Sequence, residues 1–251
     1  MSNTALIMAH PGHELRVFKF LSEYKPRVYL MTDGSGSKQA SRVDSTLKIL
    51  QASGATVAID IAHVPDKQIY QELMTLSVER HVHWMISVLN ELKLHQIDFI
   101  IGDACEGFSP THDLCRYSIN MIASEINNSW PIKNYDFLLD SILYNDNQDD
   151  ISLVLNVGEF DAKQTAAYDY QELAFELNNA IQKYGNDPFK KEIIRKVVND
   201  EPKIKWNSTY PYYEQFGREQ IAKGLYRDLI TFNDHVLPFT EAAEALFKVS
   251  I

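Results

Sequence analysis

The chain has 251 residues, 45% of them apolar and 23% charged, a balance that excludes intrinsic disorder and provides for a large core in one α/β domain. Its formal charge of −10 excludes a nucleic-acid backbone or an anionic membrane as the main partner, because both reward clustered Lys and Arg. A small-molecule substrate is expected instead, with homo-oligomerisation left open.

Thr4 to Met8 is an apolar run stopped by Ala9, His10, Pro11 and Gly12, which predicts a buried strand ending in a turn. Leu15, Phe18 and Leu21, widened by Val17 and Phe20, predict a helix over 14–24. Arg27 to Met31 predicts a second strand, closed by Thr32, Asp33, Gly34, Ser35 and Gly36. A helix over 41–53 stops at Gly54, and Thr56 to Ile61 predicts a third strand. One long helix is expected over 70–94, a fourth strand over 98–101 and a helix over 111–126. Further strands are expected over 135–139 and 151–156, with an amphipathic helix over 162–184. Beyond Gly185 the pattern weakens to a helix over 215–226. Alternating strands and helices predict a three-layer, Rossmann-like, mostly parallel sheet with helices on both faces. Residues 1–251 are expected to form a single domain, with about 186–251 as a cover over it.

The N-terminus lacks the basic start and apolar core of a signal peptide, and no apolar run approaches the roughly 20 residues that span a bilayer, so a cytoplasmic location is expected. Cys105 and Cys115 are too few for a disulfide framework and are expected as free, buried thiols.

Ligands of open α/β sheets bind beyond the carboxyl ends of the strands, which directs attention to the loops after strands one, two and four. Those loops hold His10, His13 and Glu14, then Asp33, then Asp103, Glu106, Ser109, His112 and Asp113. Zinc favours imidazole and carboxylate donors, and a catalytic site uses three protein ligands with one position open. His10, His13 and His112 supply that number, since a Pro-Gly turn aims the first two at one point and a helix start brings the third. The alternative is that these rings cap helices or bond loop backbone. His81 and His83, two apart on a helix, point to different faces and are expected as surface or packing residues. A dinucleotide site is excluded, because Pro and His follow the first strand where a glycine-rich fingerprint is needed.

Ala9, His10, Pro11, Gly12, His13 and Glu14 resemble the Ala-His-Pro-Asp-Asp-Glu motif of the PIG-L/LmbE-type metal-dependent N-deacetylases. Thr32, Asp33 and Gly34 are similar to that family's Thr-x-Gly turn, and Arg42 with Asp44 loosely echoes its Arg-x-x-Glu helix start. Ser109, Pro110, Thr111 and His112 resemble its His-Pro-Asp-His signature, so the likeness covers roughly the first half of the chain. The resemblance implies an LmbE-like fold and zinc, or another divalent metal, on His10, His13 and His112. His13 replaces an Asp, which keeps a donor and removes one negative charge. The family's general base falls on Gly12, which has no side chain, and the histidine assisting at its carbonyl falls on Ser109. General acid–base help is worth about 10²–10⁴ in rate, so substitutes are needed. Glu106 is the first choice, with Asp33 and Asp103 behind it, while Glu14 and Asp113 are expected to orient ligand histidines.

The function this implies is zinc-dependent removal of an acyl group from an N-acylated amino sugar or related amide, with Tyr212, Tyr213 and Glu214 lining the sugar site. Hydrolysis of another amide or ester is a weaker option. The competing class is a metal-binding or ligand-binding module that kept the scaffold without hydrolysis, motivated by Gly12 and Ser109.

Overall fold

The computed structural model describes residues 3–36, 40–58, 64–140, 146–197 and 210–251. It opens with β1 (Thr4–Met8), a 3-10 turn at His13–Val17 and α1 (Phe18–Tyr24). There follow β2 (Arg27–Leu30), α2 (Val43–Ser53), β3 (Thr56–Val57), α3 (Asp66–Thr75), α4 (Glu79–Leu94), β4 (Phe99–Asp103) and α5 (Pro110–Asn127). The second half adds β5 (Lys133–Phe137), β6 (Ile151–Val154), α6 (Val157–Asp169), α7 (Ala174–Tyr184), β7 (Lys191–Lys196), α8 (Tyr212–Ala222) and α9 (Leu237–Ser250).

Among the described residues seven strands form one sheet in the order β3-β2-β1-β4-β5-β7-β6. The first five in that order pair in parallel, and β7 runs antiparallel to both its neighbours. The fold is therefore the mostly parallel α/β sheet expected. The chain builds outward from β1 through β2 and β3, then returns to place β4 on the other side of β1. That reversal opens a crevice above the carboxyl ends of β1 and β4.

The core explains why β1 reads as an unbroken apolar run. Ala5, Ile7 and Ala9 pack on one face with Leu89, Leu114 and Phe239, while Leu6 and Met8 pack on the other with Phe20, Leu30 and Leu50. A central parallel strand is buried on both faces and has no use for alternation. In β4, a Cβ on Gly102 would collide with the Ile7 carbonyl oxygen and the Ile119 side chain, so its absence lets α5 settle onto the sheet. Arg116 then ties α5 down from a buried position, donating from Nε to the Asp103 carbonyl at 2.6 Å and from Nη2 to the Tyr135 carbonyl at 3.1 Å.

Several elements differ from expectation for identifiable reasons. The helix expected over 70–94 is two, parted where Leu76 takes φ 53 in the left-handed region. The segment expected as a helix over 162–184 starts earlier, at a capping box of Asn156 and Glu159, and breaks at Tyr170. Burial of that ring, with its hydroxyl donating to the Arg42 carbonyl, outweighs helical continuity. Of the third strand, Thr56 and Val57 are paired, and the expected stretch 59–61 lies outside the described residues. The segment expected as a cover contributes β7 to the sheet itself. It also contributes α9, whose Phe239, Ala243 and Phe247 join the core beside α4. No helix among the described residues is long and apolar enough to cross a membrane.

His81, expected at the surface or in packing, is fully buried on α4. Ser118 Oγ donates to the Leu114 carbonyl, so it accepts from His81 Nε2 at 2.8 Å, and His81 Nδ1 has no partner. The ring is thus neutral, and burial, aided by the nearby Arg80 charge, lowers its pKa to about 3. A histidine depressed in this way contributes stability that is complete above its unfolded value near 6.5 and is lost as pH falls towards 3. Chemical denaturation at pH 7 and pH 5 should show His81→Leu losing less stability over that interval than the parent, by on the order of 2 kcal/mol. Equal losses in the two proteins would contradict the neutral buried ring.

Candidate metal centre

The chain leaves β1 through Ala9 and turns at Gly12, whose φ of 104 is a conformation that L side chains rarely adopt. The Gly12 amide donates to Glu14 Oε2 at 2.7 Å and to Thr46 Oγ1 at 3.1 Å, which locks the turn between the two histidines. Burial raises the Glu14 pKa to about 7 in spite of hydrogen bonds from Thr46 and the Gly12 amide.

Each of the first two rings is held through Nδ1. His10 Nδ1 lies 2.7 Å from Thr32 Oγ1 and 3.0 Å from Asp66 Oδ1. Thr32 Oγ1 already donates to the Ala9 carbonyl, so it accepts from the ring. Burial raises the Asp66 carboxyl, but its surroundings, chiefly His10 beside it and the Gly36 amide, outweigh burial and hold its pKa at about 2. His13 Nδ1 stands 3.0 Å from both oxygens of Asp103, a fully buried carboxylate that also accepts from the Ala9 amide at 2.8 Å. With both Nδ1 atoms engaged as donors, the Nε2 lone pairs of His10 and His13 are the ones left to a ligand.

His112, in the first turn of α5, brings the third ring. Ring centres are 5.3 Å apart for His10 and His13, 4.9 Å for His10 and His112, and 4.6 Å for His13 and His112. Burial first, then the charges that His13 and His10 would carry, hold the His112 pKa well below the usual histidine range. The buried His112 ring is therefore held neutral, with its lone pair available to a cation. Three imidazoles sharing a tetrahedral zinc at about 2.0–2.1 Å would have ring centres about 5 Å apart. No group of three or more His, Cys, Asp or Glu side chains among the described residues is already arranged to hold a metal ion. The donor chemistry, the ring spacing and the carboxylates behind two of the rings fit a divalent metal.

The histidines form one end of a cavity of about 390 Å³ that runs beneath α6 and α7. Its walls are mostly apolar, and Glu176 is the one carboxylate among the lining residues. Arg42, which also lines it, pairs with Glu176 at 3.3 Å. The other expected acids face elsewhere. Glu106 accepts the Leu139 and Asp140 amides, Asp33 accepts the Ser35 amide, and Asp103 stands behind His13. Asp113 accepts the Glu106 and Gly107 amides, and burial raises its pKa to about 7. Ser109 is the N-cap of α5, accepting the Thr111 amide at 3.3 Å. Tyr213 is buried, and Glu214 is buried with the Phe232 amide on it. Half-exposed Tyr212 instead stacks on Phe108 at 5.1 Å and 7°, and Phe108 lies 6.3 Å from the His112 ring.

Sequence reasoning missed Asp66, Glu176 and Leu173. Asp66 had a signal, since it follows the third strand at the same sheet edge, whereas a helical glutamate such as Glu176 has none. Leu173 bears directly on Gly12: a Cβ there would collide with its Cδ1, and Tyr170 Oη lies 3.6 Å from the same point. The space in front of Gly12 is thus filled by the turn between α6 and α7.

No family model and no curated protein sequence matches the chain. Solved structures do. The A40926 pseudoaglycone deacetylase Dbv21 superposes with a TM-score of 0.57 at 14% identity, over 80% of this chain and 98% of that one. A deacetylase triple mutant, Orf2*T, involved in the teicoplanin biosynthetic pathway gives 0.54 at 8% identity, over 79% and 100%. What is shared is the fold.

If the rings hold an ion, Asp103→Asn should weaken zinc binding by about 10–100-fold, and His112→Ala should abolish stoichiometric binding, both read by competition with a chromophoric chelator. Parent-like affinity in both variants would contradict the centre.

Proposed function

We propose that this chain is a metal-dependent deacylase acting on an N-acylated amino sugar or a related amide. The observation that carries this reading is the meeting of His10, His13 and His112 on the wall of the cavity above β1 and β4. The likeness in fold to two deacetylases, and the motif resemblance around His10 and His112, support it.

His10, His13 and His112 would hold the ion, zinc by preference, which supplies Lewis acidity to an acyl carbonyl and to water. Thr32 and Asp66 orient His10, and Asp103 orients His13. Glu176 takes the role of base, because it is the carboxylate that shares the cavity with the histidines. It receives the proton of the attacking water on a carboxylate oxygen and returns it to the amide nitrogen as the carbon–nitrogen bond breaks, while Arg42 holds its side chain by their ion pair. The stacked Phe108 and Tyr212 offer flat apolar faces beside His112, which suit the face of a sugar ring.

A second reading, a binding protein without hydrolysis, is favoured by Leu173 filling the space before Gly12. Kinetics separate the two. Glu176→Gln should lower kcat/KM on an N-acylglucosamine by about 10²–10⁴ with zinc stoichiometry unchanged. Parent-like rates in the variant would remove Glu176 from the role, and no turnover by zinc-loaded parent protein would favour the binding reading.

A further inference from the structure

We propose that the cavity under α6 and α7 takes the alkyl chain of the acyl group, so that the substrates are amides of medium-length, unbranched fatty acids rather than acetamides. This rests on the deacylase reading and specifies its substrate class.

The first argument is size. A methyl group needs a volume close to that of one water, about 30 Å³. The cavity holds about 390 Å³, more than ten times that.

The second argument is the chemistry of the wall. Leu15, Leu139, Phe160, Leu173, Leu177 and Ile181 line it. The basic residues there have committed head groups: Arg16 Nε donates to the Leu138 carbonyl, Lys163 pairs with Glu192 at 2.9 Å, and Arg42 pairs with Glu176. Their stems add apolar surface. Gln164, Tyr168 and Asn186 are the uncharged polar residues of the lining besides the histidines, too few to partner every hydroxyl of a sugar ring, and an unpartnered hydroxyl against apolar wall is penalised.

The third argument comes from α7. Leu177, Ala180 and Ile181, with Leu173 just before the helix, form an apolar stripe at helical spacing, yet α7 has no buried residue. The stripe faces the cavity, and among the described residues Leu177, Ala180 and Ile181 have no partner that buries them fully. Its position is nevertheless built. Tyr170 anchors the preceding turn to Arg42 and Thr46, and Leu173 abuts Gly12, so the alkyl cavity begins directly at the histidine loop. An acyl carbonyl at the histidines thus places its chain beneath α7 and its amine side towards Phe108 and Tyr212.

The test uses N-acetyl, N-butanoyl, N-hexanoyl and N-octanoyl glucosamine with the full chain. On zinc-loaded protein, kcat/KM should rise about fourfold per methylene until the cavity is filled. Calorimetry on metal-free protein should show the octanoyl compound binding at least about a hundredfold tighter than the acetyl one. Ala180→Trp, which fills the cavity, should collapse both ratios, and half-exposed Ile181→Asn serves if the tryptophan variant does not fold. A chain-length preference in binding without turnover of any amide upholds the alkyl site and removes the deacylase reading. Turnover of the acetyl compound with no chain-length gain in rate or binding overturns the alkyl site and leaves the deacylase reading standing.

Discussion

Asp103 ties the site together. Its carboxylate, out of reach of solvent, accepts the Ala9 amide and His13 Nδ1, while its main-chain carbonyl accepts Arg116 from α5. The first bond closes the end of β1 onto the end of β4, just past the Ile7 and Gly102 pair. The second fixes the ring of His13, and the third positions the helix that carries His112. A buried carboxylate is costly unless its lone pairs are occupied. Here every partner it has belongs to the machinery that brings the histidines together.

Gly12 is matched to its surroundings by packing and by backbone conformation. Its φ of 104 disfavours any L side chain, and a Cβ there would push the Leu173 side chain aside. A bare glycine lets an apolar roof lie directly on the histidine loop. The roof in turn brings Glu176 to the cavity wall, and so offers a carboxylate from a different part of the chain.

The parallel half of the sheet was legible because continuous apolar runs such as Thr4 to Met8 end in turn residues, and strand ends of that kind are where ligands gather. The three histidines stood out for the same reason, and the fold brings their rings within 4.6–5.3 Å of one another. β7 was hidden by its charges. Its Glu192 is buried only because Lys163 and the amides of Lys19 and Phe20 satisfy it, partners some 30 to 170 residues away. Tyr170 likewise ends α6 through contacts with α2 that no local pattern announces. Which acids stand behind the site is not written in the local sequence: Glu106 and Asp33 accept backbone amides, while Asp66 arrives from the start of α3. Local periodicity reports which residues share a face, whereas the partners of a buried charge are set by tertiary placement.

The central claim is that the imidazoles of His10, His13 and His112 share one ion. Zinc-edge X-ray absorption on protein loaded with a single equivalent tests it most directly. The account predicts three imidazole shells with zinc to nitrogen distances of about 2.0–2.1 Å and no sulfur. A sulfur shell at about 2.3 Å, or scattering from fewer than three imidazoles, would contradict it.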